Sequence, residues 1–93
     1  MYQREEIKRA LSELIAQAMY MDEAEIGPDQ LFSDFGLESV TLVKIIQKLC
    51  VRFPCEFNLS SLLLHQTLDD ASTYIHERLT AQSQEQDHAK EVL

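Results

Sequence analysis

The chain has 93 residues, 45% of them hydrophobic, and 16 acidic against 8 basic side chains leave it a net charge of -8. That length supports one domain around one core, with total stability on the order of 5 to 10 kcal/mol. The acidity excludes a nucleic-acid partner, because a phosphate backbone is bound by clustered Lys and Arg. Basic protein partners are the more natural complement, although acidity of this kind also serves solubility alone. The opening residues carry charge rather than an apolar signal stretch, and the longest apolar runs, such as Leu62-Leu63-Leu64, are far too short for a bilayer. A cytoplasmic, reducing setting is expected, with no membrane association and with Cys50 and Cys55 as thiols.

In chain order, Ile7, Ala10, Leu11, Leu14, Ile15, Ala18 and Met19 recur at helical spacing and predict a first helix over 3–19 with one buried face. Its other face is charged, and Glu5 and Arg9 stand at the favourable i,i+4 orientation. From Tyr20 to Leu37 the periodicity stops, and Gly27-Pro28-Asp29 and Gly36 punctuate the connection. Ile26, Leu31, Phe32, Phe35 and Leu37 lie scattered through it, so an ordered loop folded back across the core is expected.

A second helix is predicted over 38–52. Val40, Leu42, Val43, Ile45, Ile46, Leu49, Cys50 and Phe53 form its broad apolar stripe, with Lys44, Gln47, Lys48 and Arg52 on the remaining face. Pro54 ends it. Asn58 is a candidate cap for a short third helix through Leu59, Leu62 and Leu63. Thr67-Leu68-Asp69-Asp70 offers a capping hydroxyl with a carboxylate three residues on, and Leu68, Ala71, Ile75 and Leu79 mark a last buried stripe with Tyr74 beside it. Residues 80–93 are polar and read as frayed helix, tail or linker. No stretch alternates as a strand, so the fold class is all-α with four helices, the third short.

The stretch Asp34-Phe35-Gly36-Leu37-Glu38-Ser39-Val40 sets a lone serine after a glycine turn and before the second helix. Ser39 could be an N-cap worth about 1 kcal/mol, or an accessible site for modification. A catalytic nucleophile is a poor reading: the Gly-x-Ser-x-Gly elbow is missing, and His65, His76 and His88 all fall in the last third of the chain. No glycine-rich phosphate loop can be built from Gly27 and Gly36 alone. Cys50, Cys55 and His65 lack both paired Cys-x-x-Cys spacing and a fourth ligand, so buried thiols are expected and no metal.

The same stretch, with Leu31-Phe32-Ser33 before it and Thr41-Leu42-Val43-Lys44-Ile45-Ile46 after it, resembles the attachment region of acyl carrier proteins, whose usual core reads Gly-Leu-Asp-Ser-Leu or Gly-Leu-Asp-Ser-Ile. The resemblance covers most of residues 5 to 79 in the order and length of the helices. It implies a four-helix bundle of acyl-carrier type with a long ordered first loop and a short third helix, a carrier domain over 1–79 and a tail over 80–93. It further implies that Ser39 receives 4′-phosphopantetheine from coenzyme A through a separate phosphopantetheinyl transferase. The arm then carries acyl groups as thioesters to an acyltransferase, a ketosynthase or other partner enzymes, while the carrier, expected as a monomer, does no chemistry itself. Glu38, Val40, Val43 and Lys44 are the partner-contact candidates beside Ser39. Core packing competes with contact at Val43, while Phe35 and Leu37 are expected in the core.

Two departures narrow the type of carrier. Glu38 replaces the usual aspartate, and the second helix carries Lys44, Lys48 and Arg52 where fatty-acid-synthesis carriers usually show an acidic face. Peptidyl carriers usually place Gly-Gly-His or Gly-Gly-Asp before the serine, unlike Gly36-Leu37-Glu38 here. Leu62-Leu63-Leu64-His65-Gln66-Thr67-Leu68 is similar to a Leu-Phe-x-x-Pro-Thr-Ile pattern of polyketide carriers, with Gln66 in place of the proline. The Trp of some β-branching polyketide carriers is absent. The resemblance therefore implies a discrete or excised carrier of a polyketide or mixed polyketide and peptide assembly line. Fatty-acid-synthesis and peptidyl carriers are the near alternatives. A noncatalytic helical interaction module with unmodified Ser39 is the alternative of a different class.

Overall fold

The computed structural model describes the backbone of residues 2–54 and 59–92, and the side chains of these residues except 59, 62 and 82–92. Four α-helices follow one another: α1 (Arg4–Met19), α2 (Ser39–Arg52), the single turn α3 (Leu59–Leu62) and α4 (Leu68–Val92). Among the described residues no strand forms beyond one isolated antiparallel bridge between Leu31 and Thr67. The expected cap Asn58 and the second cysteine, Cys55, lie outside the described residues, as do the side chains of Leu59, Leu62 and His88.

Helix α1 starts where the Gln3 backbone N–H donates to Glu6 Oε1 at 3.1 Å, which satisfies one of the donors a helix start leaves without a partner. It ends at Tyr20, whose left-handed backbone (φ 54, ψ 46) turns the chain while the N–H of Met21 returns to the Ala16 carbonyl at 3.1 Å. Ile7, Leu11 and Ile15, each four residues apart, are fully buried at the centre of its inner face. Small residues flank them. Ser12 and Ala16 are buried where the sequence stripe expected Ala18, and Ala18 is exposed. The inner face is thus rotated toward its small-residue edge, consistent with close packing on α4, the neighbour α1 meets most extensively. The expected Glu5–Arg9 pair does not form; Glu5 Oε1 pairs with Arg4 Nη1 at 3.2 Å instead.

The connection between α1 and α2 is ordered, as its scattered apolar residues foretold. Ile26 and Phe32 are buried in the core, and Phe35 is half-buried against it with its ring set edge-on to Phe32. Two short 3-10 turns, Glu23–Glu25 and Phe32–Phe35, carry the backbone. The loop is sewn to the start of α4 by two backbone bonds, from Phe32 N–H to Gln66 O at 2.7 Å and from Asp69 N–H to Pro28 O at 2.9 Å. Backbone groups in a buried loop need such partners, and these bonds fix the segment that leads into α2.

Helix α2 buries Leu42, Ile45 and Leu49, with Phe53 buried just beyond its end, where Tyr2 meets the Phe53 ring edge-on at a centroid distance of 4.8 Å. Helix α4 is capped by Thr67, whose hydroxyl accepts the Asp70 N–H at 3.1 Å. Leu68, Ala71, Ser72 and Ile75 form its buried stripe, with Tyr74 and Leu79 half-buried. The helix runs past Leu79 to Val92, through residues read from the sequence as frayed helix, tail or linker. No Gly or Pro interrupts 80–92, and Ala, Gln, Glu and Lys favour helix there.

Candidate functional site

The geometry around Ser39 is built by the turn before it. The short 3-10 turn ends at Gly36, which adopts φ 82 and ψ 16, a left-handed conformation that side chains with a Cβ resist. Gly36 N–H donates to Ser33 O at 3.2 Å and Leu37 N–H to Phe32 O at 3.0 Å, so the reversal is closed by backbone bonds. Leu37 is driven into the core by this turn. The three residues that follow, Glu38, Ser39 and Val40, are all exposed.

Ser39 is the first residue inside α2 and not its cap. The cap position falls to Glu38, which holds an extended backbone (φ -92, ψ 162) and whose carbonyl accepts the Leu42 N–H at 2.9 Å. The Glu38 side chain makes no capping hydrogen bond. Aspartate, serine and asparagine reach back to the first-turn N–H groups, whereas the extra methylene of glutamate makes it a poor cap. Among the described residues no side chain accepts from the first-turn backbone N–H groups of Ser39, Val40 and Thr41, which stand at the positive end of the helix dipole.

Among the described residues no hydrogen bond engages the Ser39 hydroxyl, and none supplies it with a general base. The histidines are elsewhere: His65 stacks on Tyr74 at a centroid distance of 4.8 Å, and His76 lies on α4. An open concavity lined by Ala16, Gln17, Tyr20, Met21, Asp22 and Glu25 marks the end of α1, and Ser39 does not line it. Among the described residues no three His, Cys, Asp or Glu side chains gather as a metal-binding group. Cys50 is half-buried on α2, and burial pushes its thiol above the ordinary value.

Of the residues expected to meet partners, Glu38, Val40 and Lys44 share the exposed surface with Ser39, and Val40 retains 67% of its accessible area. Val43 is half-buried. The sequence reading missed Val51, which is 81% exposed. Its position was legible from helical spacing, because residue 51 lies four after Gln47 and three after Lys48, on the polar side of the helix.

Comparison with known proteins agrees with this geometry. The family described as "Phosphopantetheine attachment site" matches residues 9–75, which takes in the turn, Ser39 and all four helix starts except that of α1. The chain belongs to the phosphopantetheine-attachment family of acyl carrier proteins. Members of this family carry a covalently attached 4′-phosphopantetheine, and they are carriers rather than catalysts. Among relatives, the carrier domain is 30% identical over 71 residues to the polyketide synthase PksL of Bacillus subtilis, covering 76% of this chain but only 2% of that protein. Its fold is similar to the solved HMG-ACPI domain from the CurA module of Lyngbya majuscula, with a TM-score of 0.73 and 32% identity over 87% of this chain and 82% of that one. The carrier domain is thus related to polyketide synthase carriers. Among the described residues no helix is long and apolar enough to cross a membrane.

Proposed function

We propose that this carrier domain holds 4′-phosphopantetheine on Ser39 and presents acyl thioesters on that arm to the enzymes of a polyketide or mixed polyketide and peptide assembly line. One observation carries the reading: Ser39 is exposed on the first turn of α2, beside first-turn N–H groups to which none of the described side chains binds. A phosphodiester on its hydroxyl meets those donors and the positive helix end directly.

The modification forms an O–P bond at Ser39 Oγ and releases the nucleotide portion of coenzyme A. The hydroxyl proton goes to a base of the transferase, since none of the described residues hydrogen-bonds Ser39 Oγ. Once attached, the arm turns encounters between its thioester and a docked catalytic partner into intramolecular ones, at an effective concentration in the millimolar range for a short flexible tether. The related polyketide synthase sequence and the absence of an acidic α2 face favour an assembly line over primary fatty-acid synthesis.

The decisive experiment incubates the apo-protein with coenzyme A and a promiscuous phosphopantetheinyl transferase and weighs the product. One added phosphopantetheine that disappears in Ser39→Ala is the expected result; no gain, or a gain that survives the substitution, rules the assignment out. Val40→Asp, on a side chain already facing solvent, is expected to leave the fold intact and slow the modification. An unchanged rate would remove Val40 from the transferase interface.

A further inference from the structure

The last turn of α1 and the short 3-10 turn after it border an open concavity of about 480 Å³. The buried Ala16 and half-buried Met21 give the apolar part of its lining, and Tyr20, Asp22 and Glu25 stand exposed around it. Tyr20 is the residue out of place. It is 96% exposed, and neither its ring nor its hydroxyl has a partner among the described residues. Its backbone is also the one left-handed backbone outside glycine among the described residues. Glycine or asparagine is the usual occupant at such a helix end, and a bulky side chain there is an outlier.

The carboxylates of Asp22 and Glu25 have no ion partner among the described residues. Between Arg9 and Lys44 the sequence holds no Lys or Arg, so no cation stands on either side of them along the chain. A single exposed tyrosine is ordinary, and so are surface carboxylates. Here an aromatic face and two unpaired carboxylates border one recess.

We infer that this concavity is a docking site for an arginine-bearing segment of a partner protein, built from no residue of α2. Charge complementarity selects the occupant. A guanidinium is planar, so it can lie on the Tyr20 ring while its N–H groups donate to Asp22 or Glu25. A lysine ammonium offers a point charge without that plane and fits less well. An anionic bilayer is repelled by the two carboxylates. A second copy is the remaining candidate, since Arg9 is exposed and without an ion partner among the described residues, and the experiment separates it.

The test titrates the full 15N-labelled chain, as wild type and as Ser39→Ala, with the blocked peptide Gly-Arg-Leu-Arg-Gly. A lysine-for-arginine peptide and free arginine serve as comparisons. The arginine peptide is expected to shift amides of residues 16–25, to weaken as salt rises, and to bind more tightly than either comparison. Tyr20→Asn should weaken it about two- to fivefold, the factor that an exposed cation–π contact is worth. Asp22→Asn with Glu25→Gln should weaken it at least about tenfold. Urea unfolding adds a readout that a structural role would reverse: Tyr20→Asn should hold or raise the midpoint, because asparagine tolerates the left-handed backbone and no buried contact is lost.

No binding, shifts outside 16–25, or equal binding of the lysine peptide or of free arginine overturns the inference. Binding untouched by Tyr20→Asn, or a lowered midpoint in that variant, overturns it too, since the ring would then serve the fold. Concentration-dependent self-association abolished by Arg9→Gln would assign the site to a second copy and equally overturn it. The titration does not require Ser39, so its failure is separate from a failure to gain phosphopantetheine.

Discussion

Lys8 Nζ stands 2.8 Å from Asp69 Oδ1, and Arg4 Nη2 reaches the same carboxylate oxygen at 3.3 Å, so one side chain at the start of α4 is held by two cations of α1. Arg4 also donates to Thr73 Oγ1 at 2.8 Å. The hydrogen bond from Lys8 leads the influences that hold the Asp69 carboxyl below its ordinary value, and together with the nearby charges it outweighs the opposing effect of partial burial. A carboxyl depressed in the folded state is protonated first in the unfolded chain. Its stabilisation is complete above the ordinary value near 3.8 and is lost as pH falls through the lower folded value. Asp69→Asn should therefore lower the urea midpoint at pH 7, with the gap from wild type closing below about pH 4. A gap that stays constant down to pH 2.5 would show that the clamp is not electrostatic.

The turn before Ser39 depends on one backbone angle. A Cβ on Gly36 would meet nothing nearer than Met19 Cε at 4.0 Å, so space is not the constraint. The positive φ of 82 is the constraint, and left-handed backbone costs an ordinary residue about 1 to 2 kcal/mol. Gly36→Ala is expected to lose that much stability in urea unfolding, and Gly36→Asn less, since asparagine tolerates this region better. Equal losses for both would mean that the turn relaxes rather than strains.

Periodicity exposed the helices but could not locate the start of α2 to the residue. Serine is among the best caps and glutamate among the poor ones, yet the chain reversal at Gly36 buries Leu37 and leaves the extended cap geometry to Glu38. Backbone closure decided against side-chain preference. Thr67, with no competing turn beside it, caps α4 as its sequence foretold. The burial of Ser12 and Ala16 in place of Ala18 was not legible, because it follows from how α4 lies across α1, and a spacing pattern within one helix holds no information about its neighbour. The bonds from Phe32 to Gln66 and from Asp69 to Pro28 are backbone contacts between distant segments and leave no mark in side-chain identity.

Ser72 is the converse case, a polar side chain where the stripe calls for an apolar one. It is fully buried, and its hydroxyl has no hydrogen-bond partner among the described residues. A buried hydroxyl without a partner costs about 1 to 3 kcal/mol, and alanine removes that oxygen while adding little empty volume. Ser72→Ala should be neutral or more stable by up to about 1 kcal/mol, once the small cavity is set against the desolvation gained. Thermal and urea unfolding decide it, and a loss beyond 1 kcal/mol would mean that the hydroxyl has a partner in solution.

Glu38 offers the sharpest test of how the start of α2 is used. Its carboxylate makes no capping bond, and shortening it by one methylene brings a carboxylate to the length that favours one. Glu38→Asp should stabilise the apo-protein by about 0.5 to 1 kcal/mol in urea unfolding. The same first-turn donors would serve the phosphodiester on Ser39, so the gain should shrink in the phosphopantetheinylated protein, where cap and phosphate compete. Comparing the four proteins, wild type and Glu38→Asp, each apo and modified, isolates that competition as an interaction energy. Additive effects would show that the phosphate makes its contacts elsewhere, whereas a smaller gain in the modified pair locates it on the N–H groups of the first turn.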